Sequence, residues 1–147
     1  DQVSDGTVLL AGTYNANTIA VASVLASLEV LARPDTHERL FAVSERLTSG
    51  FAGIFERADG PVQMQGVGPM FQFWFSETPV VDYRDAARHL NSPAFAALAR
   101  ALHERGVMVH PSNIELWFVS TVHTDADVDR TLSAFEDAVK ATIHQLR

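Results

Sequence analysis

The chain has 147 residues, 47% of them apolar and 20% charged, which is the size and composition of one ordinary domain able to bury a core. With 18 acidic against 11 basic side chains, its formal charge of −7 disfavours a nucleic-acid partner. Cysteine is absent, which excludes a disulfide scaffold, a thiolate metal site and a cysteine nucleophile, and suits a reducing, cytoplasmic setting.

The opening Asp1-Gln2-Val3 has no initiator Met, so the chain is expected to be processed or part of a longer one. Residues 17–32 read as a helix with an apolar row at Val21, Val24, Leu25, Leu28 and Leu31. This longest apolar stretch is too short to span a membrane, carries Glu29, and follows no cationic leader. The rest of its surface is mostly Ala, Ser and Val. A helix apolar nearly all round is normally buried on every side, so it is expected to pack against a partner surface that this chain does not supply.

Pro34-Asp35-Thr36 ends that helix and starts another, running to about Arg57, with core positions Leu40, Val43, Leu47, Phe51 and Ile54. Asp59-Gly60-Pro61 stops it. Val62 to Val67 alternates apolar and polar residues, and Met70 to Phe75 places Phe71, Phe73 and Phe75 on one face. The two are strands joined by Gly66-Val67-Gly68-Pro69 as a hairpin or bulged bend. Aromatic strand residues are expected in the core rather than stacked on a ligand.

A short helix follows around residues 82–90. Ser92-Pro93 then reads as a cap with a first-turn proline, opening a helix that buries Phe95, Leu98 and Leu102 and ends at Gly106. Residues 107–109 and 116–119 read as short strands. Thr124 to Asp127 fits a capping box, and the last helix is expected to bury Val128, Leu132, Phe135, Val139 and Ile143, with Lys140, His144 and Arg147 near its negative end. Helices in runs around a few short strands give an α+β fold, a small antiparallel sheet covered by helices, rather than alternating βαβ units.

Motifs for chemistry are sparse. His37, His89, His103, His110, His123 and His144 show no zinc-site spacing, so no metal is expected. There is no nucleophile elbow, P-loop or dinucleotide fingerprint, and no local signature for a Ser–His–Asp triad. Two loops remain. Gly12-Thr13-Tyr14-Asn15-Ala16-Asn17 precedes the apolar helix, where unpaired amides can hold a phosphate. Helix capping by Asn15 or Asn17 explains the same residues equally well. His110-Pro111-Ser112-Asn113-Ile114-Glu115 joins two predicted strands and reads locally as a solvated turn.

These segments resemble a known family. Gly12-Thr13-Tyr14-Asn15-Ala16-Asn17 resembles the G-T-x-S-G-N-P segment of the class III, fold-type I pyridoxal-phosphate aminotransferases. Several tail segments are similar to the glutamate-1-semialdehyde aminomutase branch: Arg105-Gly106-Val107, Pro111-Ser112-Asn113-Ile114-Glu115, Phe118-Val119-Ser120 and His123-Thr124-Asp125. Gly68-Pro69-Met70-Phe71 and Asp82-Tyr83-Arg84-Asp85-Ala86 fit it too. Asn15, Ala16 and Thr18 stand where the first motif usually has Ser, Gly and Pro, so aminomutase and aminotransferase both remain open.

The resemblance implies the last third of such an enzyme. Residues 1–33 would be the end of the large cofactor-binding domain with a connecting helix, and residues 34–147 the small domain. It implies a homodimer with interfacial active sites, pyridoxal 5′-phosphate as cofactor, and a small amino substrate. Gly12 and Thr13 would contact the cofactor phosphate across the dimer, and Glu115 would hold a substrate ammonium group or order an active-site loop. The chain is expected to start after the family's Schiff-base lysine, so it contributes no catalytic residue; its single lysine, Lys140, sits in the wrong place. By itself it is expected to be inactive. The competing class is a non-enzymatic α+β interaction domain.

Overall fold

The computed structural model describes residues 5–9, 11–88 and 90–146. His89 and Arg147, named above, lie outside the described residues, as do Asp1, Gln2 and Val3. The chain divides into two units, Asp1–His37 and Glu38–Arg147.

The first unit holds helix α1, Thr18–Leu31. Its start is set by Asn17, whose side-chain oxygen accepts the N–H of Ala20 at 3.0 Å. No residue of α1 is buried; Val24, Leu25 and Leu28 are all more than half exposed. The Ser23 and Ser27 hydroxyls donate back to the carbonyls one turn earlier, so these polar groups are satisfied within the helix itself. What remains is an apolar surface without cover in this unit. After α1, the Thr36 hydroxyl donates to Val30 O at 3.1 Å, closing the turn that leads into helix α2, Thr36–Arg57.

In the second unit α2 is followed by strands β1 (Gln63–Val67) and β2 (Met70–Trp74), helices α3 (Tyr83–Arg88) and α4 (Ser92–His103), strand β3 (Trp117–Phe118) and helix α5 (Asp125–Leu146). The sheet is antiparallel in the order β1-β2-β3. Val67 pairs with Met70, leaving Gly68-Pro69 as a two-residue hairpin turn, which resolves the predicted bend. Gly68 has φ +52°, and Pro69 follows with its fixed negative φ. One strand residue earlier, a Cβ on Gly66 would fall 2.4 Å from Met70 O and 2.6 Å from Phe71 Cα, so no side chain fits there. The architecture is α+β, as read from the sequence.

The core is aromatic. Phe51, Phe55, Phe71, Phe73, Phe75, Phe95 and Phe135 are buried together, with Leu98, Leu102, Val128 and Val139 around them and Trp117 at their edge. The predicted core rows hold, with shifts. Phe55 and Ser44 of α2 are buried, whereas Leu40 and Val43 are only partly covered. On β2 both faces are closed: Phe71 and Phe73 face the main core, while Gln72 and Trp74 are buried on the other side. Trp74 packs with Val80, Ala86 and Leu90 in a smaller cluster. The loop carrying Val80 is tied to β1 by the Gln65 amide, which donates to Val80 O.

Two predicted details differ. Asn91, not Ser92, caps α4: its side-chain oxygen accepts from Ala94 N–H at 3.3 Å, leaving Ser92 as the first helical residue. Residues 107–109 form no strand. The His103 ring meets the main chain there, with Nε2 2.7 Å from Val109 O and 3.1 Å from Val109 N. β3 is only two residues long.

Candidate functional site

Gly12 and Thr13 belong to the first unit and Glu115 to the second. In the first loop Asn15 N–H donates to Gly12 O at 3.0 Å and Asn17 N–H to Tyr14 O at 3.1 Å. A Cβ at position 12 would come 2.9 Å from Asn15 Oδ1, the end of an exposed side chain that can swing aside, so the turn itself does not demand a glycine. Ala16 takes φ +59° to bring the chain into α1. The choice left open between Asn15 and Asn17 as cap is settled for Asn17. Thr13 is exposed, and neither its hydroxyl nor its amide bonds to another described residue. A free hydroxyl and amide on a glycine-bounded turn are donors suited to a phosphate oxygen, so these residues fit the phosphate end of pyridoxal phosphate. This unit offers no lysine and nothing aromatic to hold a pyridine ring except Tyr14, which is 82% exposed.

The second loop is ordered by its own turns. His110 Nδ1 accepts from Ser112 N–H at 3.1 Å, and Ser112 Oγ accepts from Ile114 N–H at 3.3 Å. Glu115 N–H donates to Ser112 O at 3.3 Å, and its side chain is exposed. The residue that fixes this loop to the sheet was not found by sequence reasoning. Gln72, 2% exposed, donates from Nε2 to Asn113 O at 2.7 Å and to Glu115 O at 2.6 Å. Its Oε1 accepts from Phe73 N–H at 2.9 Å, so the whole amide is used. The available signal was a lone glutamine inside the run Met70-Phe71-Gln72-Phe73-Trp74, a polar residue that must be satisfied if covered. Next to it Asn113 is also buried, with its side-chain oxygen and nitrogen bonded to none of the described residues.

Lys140 lies far along α5 with its side chain 66% exposed, and its ammonium contacts Glu136 at 3.2 Å. The Lys140 hydrogen bond holds the Glu136 carboxyl below the ordinary carboxylate range, with Arg57 adding to the effect. A groove of about 490 Å³ between α2 and the β1–β2 hairpin is lined by Phe41, Ser44, Glu45, Thr48 and Gln65 among others. Glu115 does not line it. No group of three or more His, Asp or Glu able to hold a metal occurs among the described residues, and none of their helices is long and apolar enough to cross a membrane.

No protein-family model matches the chain. Among curated proteins it is 39% identical over 130 residues to the glutamate-1-semialdehyde 2,1-aminomutase of Desulfosudis oleivorans, a match covering 88% of this chain and 30% of that protein. Among solved structures it superposes on a glutamate-1-semialdehyde aminomutase from Pseudomonas aeruginosa PAO1 in complex with PMP. There the TM-score is 0.80 at 19% identity, covering 90% of this chain and 29% of the other. An omega-transaminase from Sphaerobacter thermophilus gives a TM-score of 0.78 at 24% identity, over 92% of this chain and 31% of that one. The structural matches speak for the fold, the curated one for descent. The chain spans about a third of the length of the curated relatives it matches. It is a homologue of the C-terminal portion, about 30% of the length, of the class III aminotransferases and glutamate-1-semialdehyde aminomutases.

Proposed function

We propose that this chain is the C-terminal third, the end of the large domain with the small domain, of a homodimeric, cytoplasmic pyridoxal-phosphate enzyme that moves an amino group on an amino acid or amino-aldehyde. The observation that carries this reading is the 39% identity to a curated aminomutase over 130 residues. That match covers 88% of the chain. When bound, the cofactor supplies an electron sink for the reacting carbon. The work left to this chain is recognition. Gly12 and Thr13 present a close-approach backbone and a hydroxyl to the cofactor phosphate of the neighbouring subunit, and Glu115 offers a carboxylate to a substrate ammonium group. Glu115 would repel a substrate carboxylate, so that group is recognised elsewhere.

The exposed apolar surface of α1 supports the same reading, because such a helix needs cover from the large domain or the partner subunit. The chain alone is inactive in this account, because its one lysine is solvent-facing and already engaged by Glu136.

The test is Thr13→Val in the complete enzyme. A hydrogen bond to a charged acceptor contributes roughly 1.5–3 kcal/mol, so the variant should still dimerise but bind cofactor about ten- to a hundredfold more weakly. Retention of cofactor through dialysis at the wild-type level would reduce Thr13 to a turn residue. A parallel Glu115→Gln variant with unchanged turnover and substrate preference would remove Glu115 from the site.

A further inference from the structure

The sheet stops short at Glu115 for a specific reason. Met70 pairs with Phe118 and Phe71 with Trp117, and Val119 N–H donates to Pro69 O at 2.9 Å. Continuing this register places Phe73 opposite Glu115, at a position where the two would exchange backbone hydrogen bonds directly. They do not. The Gln72 amide stands between them: Phe73 N–H donates to Gln72 Oε1, and Gln72 Nε2 donates on to Glu115 O. A side-chain amide is thus interposed as a spacer in the ladder, and its second N–H holds Asn113 O. The segment leading into β3 is thus tied to β2 through that side-chain amide and not by direct backbone pairing.

We infer that Gln72 is the positioning residue for Glu115, holding that carboxylate-bearing loop through its buried side-chain amide instead of through direct strand pairing. The inference rests on the substrate role of Glu115 proposed above. Burial is what gives the tether its strength. Both carbonyls lose their donor if Gln72 is changed, and at buried Asn113 a carbonyl without a donor is costly enough to move the loop. Gln72 touches no substrate and acts only through the Asn113 and Glu115 main chain.

The experiment uses the complete, cofactor-loaded enzyme with Gln72→Met, which keeps length and volume but no donor. Gln72→Glu, which keeps the acceptor for Phe73 but presents oxygen to both carbonyls, is the second variant. Amide hydrogen exchange is read on peptides covering residues 112–118 and, as a control for global folding, on α4 and α5. Both variants should exchange about tenfold faster in residues 112–118 with α4 and α5 unchanged. The KM for the amino substrate should rise several-fold with kcat little altered, and Gln72→Met should have no further effect on KM when Glu115 is already Gln. Unchanged exchange in residues 112–118 would overturn the tether. An equal rise in KM with and without Glu115 would show that Gln72 does not act through it, and would overturn the positioning role. If Glu115→Gln alone leaves KM unchanged, the substrate role of Glu115 fails instead, and the tether is decided by the exchange result.

Discussion

The rings of Phe51 and Phe135 lie 4.0 Å apart at an interplanar angle of 30°, joining α2 to α5 through the middle of the core. Phe51 also meets Trp117 edge-on at 5.5 Å and Phe71 at 6.0 Å, so one side chain ties its own helix to a second helix and two strands. It has no exposed surface. Phe51→Ala should therefore cost about 3–5 kcal/mol, the range for a buried aromatic truncation whose cavity its neighbours cannot fill. Phe51→Leu should recover more than half of that. Chemical denaturation of the two variants measures both, and a loss near 1 kcal/mol for the alanine variant would mean that the core collapses around the gap.

Gly66 makes a second, independent test of the sheet. The nearest atoms to an added Cβ are the backbone of Met70 and Phe71, which cannot swing aside as a side-chain end can. Gly66→Ala should destabilise the protein by about 1–3 kcal/mol, and the change should appear first as faster exchange in the β1–β2 hairpin.

These two residues show what the sequence discloses and what it hides. The helical spacing of Leu47, Phe51 and Ile54, and the alternation of Phe71, Phe73 and Phe75, give the core directly, because burial imposes those periods. The loop carrying Thr13 stood out locally as a place able to hold a phosphate, with capping explaining it equally well, whereas Glu115 was singled out only through a family motif. Gln72 was not visible as a functional residue at all. Its role depends on a partner 43 residues away and on a register that no local pattern encodes. The capping error at α4 has a local cause: Asn91 and Ser92 are adjacent, both are good caps, and the choice between them is made by the backbone. At residues 107–109 the main chain meets the ring of His103 and forms no strand, a contact that apolar spacing does not register.

The start of α5 is expected to respond to acid. Thr124 and Asp127 cap it reciprocally: Thr124 N–H donates to Asp127 Oδ2 at 2.9 Å, and Asp127 N–H to Thr124 Oγ1 at 3.3 Å. The Thr124 hydroxyl, then its amide, then Arg130 hold the Asp127 carboxyl below its ordinary value of 3.8. A depressed carboxyl stabilises the fold in full above that value and loses the contribution as pH falls through its lowered folded value. Asp127→Asn should thus be less stable than the parent at neutral pH, and the gap should close below about pH 4. Thermal melts across that range decide it; a gap constant down to pH 2 would assign the cap to geometry alone.

Lys140 should prove dispensable. It is the only lysine in the chain, so any lysine imine with an aldehyde cofactor inside this segment would have to use its amine. A lysine serving that role is desolvated or set beside another cation to lower its pKa. Lys140 has the opposite surroundings, an exposed side chain with its ammonium against Glu136. Removing it leaves Glu136 with Arg57, 3.6 Å away, as a remaining partner. Lys140→Gln should therefore leave the melting temperature unchanged within error. The complete enzyme carrying it should bind cofactor and turn over at the wild-type rate. A variant that folds normally but loses bound cofactor would place Lys140 at the reaction centre and overturn the assignment of this chain to recognition rather than chemistry.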